Sequence, residues 1–489
     1  MREAVAREIL GTPSGPDVAA FFDFDGTLID GYSAVAFLKD RARRRELPAG
    51  EFARLLRAGL DMRSGKADFE RFMRVGTQAF RGHDARTLGS IGDRLLRSTL
   101  GGLLFPEMLE IVDAHRRRGH TLVIASSALP FQVEPVAREL GVDHVLCTRL
   151  ETIDDLYTGR VEGAALWGPG KAAAVRAFAE SHGIALDRSY AYGNGYEDVE
   201  FLSAVAHPRV VNPDAQLQAT ARREGWPVSR FGGRGRPGLD AVVRTAAAYG
   251  GMATAFGAGL GLGLLKRSRR EAVNFTTSVG SDVTLALAGV RLNVTGAEHI
   301  EAVKPAVFIF NHQSILDGFI VMKLVRTDMT GVAKKEVASQ PGFGHFARLA
   351  GIAFVDRGDT RQAVGALAPV VEKLRDGYSI AISPEGTRSP TPALGRFKKG
   401  AFHMAMQGGV PIVPIVIRNA GEVLWRGSKV MRPGVVDVHV HEPISVADWT
   451  RESLDERIAE VHALFLQTLS DWPRRGAAAR DRPDALRPG

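Results

Sequence analysis

His312 and Asp317 stand five residues apart in the stretch 308–317, FIFNHQSILD. A histidine whose tautomer is set by a carboxylate can take a proton from a hydroxyl, so the pair suits general-base chemistry. On a continuous helix the two would lie about 140° apart, so their contact requires a turn that leads into a helix. The apolar run 306–310 reads as a buried strand, and Asn311 opens such a turn at its end. A helix-capping Asn with an unrelated His nearby is the plainer reading of the same residues. A second pair, Asp23 and Asp25, lies in FFDFDGTLID. Two residues apart at a strand end, they face one pocket, repel one another and attract a hard cation such as Mg²⁺. The apolar, aromatic run from Val18 weighs against a merely solvated Asp-Gly turn.

The elements around these pairs follow from composition and period. Residues 33–104 are helical and charged, an inserted cap in which Arg41, Arg43, Arg44 and Arg45 form a solvated face. Strand character returns at 121–125, TLVIA, and is followed by Ser126 and Ser127. GPGK at 168–171 opens a helix at Lys171, and SYAYGNGYED at 189–198 reads as strand, turn and acidic helix start. Strands alternating with helices predict an α/β fold: a doubly wound parallel sheet with its site at the strands' carboxyl ends.

The bulk numbers bound the rest. At 489 residues the chain should hold two or three domains. Its net charge of +8 favours an anionic partner, whether nucleic acid, an acidic membrane surface or a phosphorylated substrate. The single Cys147 excludes an internal disulfide framework and fits a reducing compartment. The opening MREAVAREIL has no apolar signal core, so no secretory signal is expected.

Three later stretches join NHQSILD: GIAFVDR at 351–357, SPEGTRS at 383–389 and VPIVPIVI at 410–417. In this order they resemble the four blocks of the glycerophospholipid acyltransferase family, above all its 1-acylglycerol-3-phosphate acyltransferases, over roughly residues 268–470. The resemblance implies a second α/β domain in which His312 deprotonates the acceptor hydroxyl, oriented by Asp317. It places the acceptor, lysophosphatidic acid, at Glu385, Gly386, Thr387 and Arg388. The donor is an acyl thioester, either acyl-CoA or acyl carrier protein. The acceptor phosphate needs fixed cations, for which Arg388 and Arg357 are the candidates.

DFDGT, a strand-terminal Ser, a Lys at a helix start and an acidic loop resemble the haloacid dehalogenase superfamily. The phosphoserine-phosphatase-like branch with a helical cap is the nearest fit, over about residues 18–215. That resemblance implies Asp23 as a nucleophile forming an aspartyl-phosphate and Asp25 as general acid–base. Ser126, or Ser127 in the alternative alignment, would bind the phosphoryl group, and Lys171 would neutralise its charge. Mg²⁺ would be held by Asp23, Asp25, Asn194 and Asp198. One residue departs from the pattern: the family's loop usually begins Gly-Asp, and here Gly193 is followed by Asn194. An amide carbonyl can ligate Mg²⁺ but removes one negative charge, so weaker metal binding is expected.

Between the two halves, GGRGRPG at 232–238 reads as a linker, and the stretch 245–265 carries no charge. Its Gly257/Gly261 and Gly259/Gly263 pairs permit close helix packing. Arginines flank it on both sides, and 272–290 supplies a second, half-apolar segment. Two helices lying in the cytosolic leaflet of the cell membrane, arginines on anionic headgroups, are expected over a single crossing or a buried inter-domain hairpin. The expected layout is a phosphatase domain at 1–230 and membrane-associating helices at 231–290. An acyltransferase domain at 291–472 and a disordered tail at 473–489 complete it. Functionally the chain reads as a lipid enzyme with two activities and no nucleic-acid partner. The alternatives are an acyltransferase with a catalytically weak regulatory domain, or a phosphatase acting mainly on phosphoserine or a lysophospholipid.

Overall fold

The computed structural model describes residues 2–46, 50, 53, 57, 73, 76–234, 237–339, 343–355 and 368–472. Most of the cap between 47 and 72, Arg357, and the tail 473–489 with its expected disorder lie outside the described residues. The chain divides into two compact units, Met1–Arg236 and Pro237–Gly489.

The first unit is built on a parallel sheet of β1 (Ala19–Phe22), β2 (Thr121–Ser126), β3 (His144–Cys147), β6 (Tyr190–Gly193), β7 (His207–Val211) and β8 (Val228–Ser229), in the order β3-β2-β1-β6-β7-β8. Every adjacent pair is parallel. Both faces of β1 are buried. Ala20 and Phe22 join one apolar core and Ala19 and Phe21 the other, as the two-residue period of a strand between helical layers requires. The chain winds outward from β1 through β2 to β3, then returns to β6 on the other side of β1. That reversal leaves a crevice beyond the carboxyl ends of β1, β2 and β6. The expected doubly wound parallel sheet is therefore present. Strand–helix alternation does not predict the antiparallel pair β4 (Arg149–Ile153) and β5 (Leu156–Glu162). Their two-residue turn places Asp154 and Asp155 at φ of 50° and 62°, the positive values that a tight hairpin turn with matching twist demands.

The second unit holds a seven-stranded sheet in the order β12-β11-β13-β10-β14-β15-β9. Its strands are β9 (Val290–Thr295), β10 (Val307–Phe310), β11 (Met329–Lys334), β12 (Ala353–Val355), β13 (Ser379–Ile382), β14 (Ile412–Ile417) and β15 (Gly434–Val440). All neighbours are parallel except β14 and β15. At the centre, Phe308 and Phe310 of β10 face one core and Val307 and Ile309 the other.

Before this sheet, helices Leu239–Lys266 and Arg269–Ala288 pack against each other along their length. Ala241, Thr245, Ala248, Ala255 and Gly259, spaced by three, four or seven residues, form the buried stripe of the first helix. The helices approach so closely that a Cβ on Gly259 would sit 2.8 Å from the Ala272 carbonyl oxygen, and one on Gly263 would sit 2.6 Å from the Ala272 Cβ. Of the two glycine pairs, Gly259/Gly263 meets the second helix, while Cβ atoms on Gly257 and Gly261 would meet nothing. The second helix is tied to the body of the unit by Arg270 and Asn274 to Asp328 and by Asp282 to Lys323. Leu239–Lys266 is the helix among the described residues that is long and apolar enough to cross a membrane. Tyr249, Leu260, Leu264 and Leu265 are exposed on it.

Candidate active sites in the two units

In the first unit, Asp23 follows β1, and its backbone N–H donates to the Tyr192 carbonyl of β6. Lys171, in the first turn of helix Pro169–His182, brings its Nζ to 2.7 Å from Asp23 Oδ1 and 2.6 Å from Asp198 Oδ1. All three side chains are buried, so an ammonium between two carboxylates offsets the cost of desolvating them. Burial pushes the Asp23 carboxyl up, to about 7, against the pull of Lys171. Burial also lowers the Lys171 ammonium, but Asp198 and Asp23 outweigh it and hold the lysine charged.

Asp25 is held from the cap side. Its Oδ1 accepts from Ser33 N–H at 2.7 Å and its Oδ2 from Ser33 Oγ–H at 3.1 Å, while Gln132 Nε2 donates to Ser33 Oγ. Burial raises its pKa to about 6, opposed by those Ser33 bonds, which suits a group that gives and takes protons near neutrality. Ser33 and Gln132 have no motif around them in the sequence. Ser126 ends β2, the neighbour of β1, with its Oγ accepting from Ala128 N–H, and Ser127 is half-buried beside it.

The metal expectation resolves unevenly. Asp198 has Oδ1 on Lys171 and Oδ2 accepting from the N–H groups of Asn194 and Gly195. It anchors the lysine with one oxygen and the loop with the other. Among the described residues no cluster of three His, Cys, Asp or Glu side chains is arranged to hold a metal. The donors that do converge are Asp23 Oδ2, the Asp25 carbonyl and the Asn194 amide. The amide's facing atom lies 3.2 Å from the first and 3.0 Å from the second. Oxygen atoms at that separation can share one small cation, so the set fits Mg²⁺ with a single carboxylate charge. Gly26, at φ of 83°, makes the approach possible: a Cβ there would lie 2.3 Å from the Asn194 amide.

In the second unit, β10 ends at Phe310, and Asn311 pins that end to β14. Its Nδ2 donates to the Ile417 carbonyl and its Oδ1 accepts from Ile417 N–H. The turn then carries His312 to the start of helix Leu316–Val325, where Asp317 lies. Asp317 Oδ2 accepts from His312 Nδ1 and from the N–H groups of Gln313 and Ser314, each at 2.8 Å. A fully buried carboxylate with three donors on one oxygen fixes Nδ1 as the protonated nitrogen and leaves Nε2 as the basic one. Nε2 has no hydrogen-bond partner among the described residues, and the His312 side chain is 25% exposed. A hydroxyl can therefore reach it.

The loop after β13, the other neighbour of β10, supplies the remaining candidates. Glu385 Oε1 accepts from His312 N–H at 2.7 Å and Oε2 from Gly395 N–H at 2.8 Å, while Ser389 N–H donates to the His312 carbonyl. Glu385, expected among the acceptor-binding residues, thus locks two loops around His312. The sequence holds no local signal for this role, since the residues it joins are 73 apart. Gly386 takes φ of 72°, and a Cβ there would meet Lys398 Nζ at 3.1 Å. Thr387 is exposed. The Arg388 guanidinium is half-buried with no hydrogen-bond partner among the described residues. Burial lowers its pKa against the opposing Asp317 charge. A desolvated, unpaired guanidinium is an anion-binding group.

With both sites described, comparison with known proteins gives two separate matches. Residues 20–203 match the haloacid dehalogenase-like hydrolase family and residues 291–418 the acyltransferase family. A "Probable phosphatase" of Mycobacterium tuberculosis is 35% identical over 229 residues, 45% of this chain and 78% of that protein. A 1-acyl-sn-glycerol-3-phosphate acyltransferase of Limnanthes alba is 35% identical over 185 residues, 37% of this chain and 65% of the relative. The crystal structure of the 1-acyl-sn-glycerophosphate acyltransferase of Thermotoga maritima superposes with a TM-score of 0.42 at 26% identity, covering 48% of this chain and 99% of that one. The chain belongs to the haloacid dehalogenase-like hydrolase family by its N-terminal unit, and residues 291–418 of its second unit match the acyltransferase family.

Proposed function

We propose that this is a two-activity lipid enzyme. The C-terminal unit moves an acyl chain from an acyl thioester, carried by CoA or acyl carrier protein, to 1-acylglycerol-3-phosphate, giving phosphatidic acid. The N-terminal unit hydrolyses a phosphomonoester. The observation that carries the first activity is the His312–Asp317 contact, with Nε2 unpartnered and Arg388 unpaired. His312 Nε2 takes the acceptor's hydroxyl proton as that oxygen attacks the thioester carbonyl. The C–S bond then breaks, and the proton returns to the departing thiolate. Arg388, with Arg357 as second candidate, holds the acceptor phosphate, and Gly386 and Thr387 complete the acceptor side.

In the N-terminal unit Asp23 attacks phosphorus while Asp25 protonates the leaving oxygen. Asp25 next deprotonates the water that cleaves the aspartyl-phosphate. Lys171 offsets the phosphoryl charge, and Ser126 binds its oxygens. Mg²⁺, held by Asp23, the Asp25 carbonyl and Asn194, would add positive charge at the same place. The single carboxylate in that set favours a second reading, a slow phosphatase that serves mainly as a ligand-binding module. Production of phosphatidic acid from lysophosphatidic acid and acyl-CoA, with and without Mg²⁺, tests the whole assignment. In that assay Arg388→Ala should lower turnover of the phosphorylated acceptor at least about tenfold, because a charge-assisted pair is lost. Equal impairment on monoacylglycerol would show that Arg388 is no phosphate clamp.

The exposed apolar face of helix Leu239–Lys266, with Arg244, Lys266 and Arg267 at its ends, supports docking on the cytoplasmic face of the cell membrane. Residues 231–290 act there as a membrane-associating segment of the acyltransferase half. Burying one leucine contributes about 1.5–3 kcal/mol. The double variant Leu264→Glu, Leu265→Glu should therefore bind phosphatidylglycerol vesicles at least about tenfold more weakly in flotation. Unchanged flotation would remove this surface from the membrane.

A further inference from the structure

Asn194 is the one residue of the phosphoryl site whose chemistry differs between its two orientations. The amide atom that faces Asp23 lies 3.2 Å from Asp23 Oδ2, 3.0 Å from the Asp25 carbonyl oxygen and 3.1 Å from Thr27 Oγ1. The carbonyl has no proton to give, and neither has Asp23 in the ionised form that a nucleophile requires. An amide oxygen at that point would add a third acceptor, with only Thr27 able to donate to it. An amide nitrogen there satisfies the Asp23 and Asp25 acceptors with its two protons. The two ends of the amide are nearly equal in size, and the other end packs against Gly26, where any side chain would collide. A half-turn about the last side-chain bond therefore exchanges the two states without moving the backbone.

We propose that Asn194 is a two-state element that competes with the divalent cation. Without the cation its Nδ2–H₂ group bridges Asp23 Oδ2 and the Asp25 carbonyl, holding the β1 and β6 loops as an ion would. A divalent cation enters only when the amide turns over and presents Oδ1, so binding must first break two internal hydrogen bonds. This goes beyond a deficit of one charge. A deficit alone predicts weak metal binding, whereas the bridge also predicts a site that is structurally complete without metal. The inference rests on reading Asp23, Asp25 and Asn194 as the phosphoryl-transfer site.

The test is thermal unfolding and Mg²⁺ calorimetry on the full chain for wild type, Asn194→Asp and Asn194→Ala. Metal-free wild type should unfold at a higher temperature than either variant. Asp places a second carboxylate against Asp23, and Ala takes both amide donors away from Asp23 Oδ2 and the Asp25 carbonyl. Mg²⁺ should raise the Asn194→Asp transition strongly, bind it at least about tenfold more tightly than wild type, and leave the wild-type transition almost unmoved. The proposal is overturned if metal-free Asn194→Ala is as stable as wild type, or if Mg²⁺ stabilises wild type as much as Asn194→Asp. Should Asn194→Asp not fold without metal, the alanine variant and wild-type calorimetry still decide. No arm depends on turnover. Thermal results as expected without phosphomonoester hydrolysis by wild type or Asn194→Asp would keep the switch and sink the phosphatase reading. Mg²⁺-dependent hydrolysis with the wild-type transition raised as far as that of Asn194→Asp would do the reverse.

Discussion

Replacing His312 with Ala is expected to lower acyl transfer by about 10²–10⁴-fold, the usual contribution of a positioned general base. The fold should survive, because the ring is partly exposed and its Asp317 partner keeps two backbone donors, Gln313 N–H and Ser314 N–H. Asp317→Asn should cause a smaller loss within the same range, since it retains an acceptor for those N–H groups but no longer presents an anion to Nδ1. The measurement is phosphatidic acid formed from lysophosphatidic acid and acyl-CoA, with phosphomonoester hydrolysis by the same preparation as the internal control. Near-wild-type transfer by His312→Ala would end the assignment of the base. Loss of both activities together would point to misfolding.

Asp23→Asn should abolish hydrolysis of small phosphomonoesters, by at least about 10³-fold, because an amide cannot form the aspartyl-phosphate. The substitution is nearly isosteric and keeps an oxygen for Lys171, whose second partner Asp198 remains 2.6 Å away. Loss of one carboxylate leaves the buried ammonium less well balanced, so a modest fall in stability is expected alongside. Acyl transfer should be unchanged. Residual hydrolysis within about tenfold of wild type would show that Asp23 is not the nucleophile.

Both pairs were legible in the sequence because the chemistry is local. Asp23 and Asp25 are two residues apart at a strand end, and His312 and Asp317 span one turn, so period and turn residues suffice to bring each pair together. The same locality made close helix packing legible in the uncharged stretch, but which of its two glycine pairs meets the second helix was decided by the tertiary structure. The supporting residues were not legible. Ser33 and Gln132 are 99 positions apart and meet only through the cap, and Glu385 reaches back 73 residues to His312. The partners that Asp198 finds, Lys171 and two backbone N–H groups, depend likewise on how its loop turns.

What the sequence by itself determined is the pair of α/β alternations, the strand-end position of each candidate reacting group and the missing charge at Asn194. These follow from side-chain type and from periods of two and 3.6 residues, which act within a few residues of chain. Strand order belonged to the tertiary structure. Placing β1 between β2 and β6 brings Lys171 across 148 residues to Asp23, and placing β10 between β13 and β14 sets Glu385 against His312. No local rule specifies these neighbours, because they are selected by which apolar faces can be buried together over the whole chain. The orientation of the Asn194 amide belongs there too, since it is chosen by two acceptors from a strand-end turn more than 160 residues away, Asp23 Oδ2 and the Asp25 carbonyl.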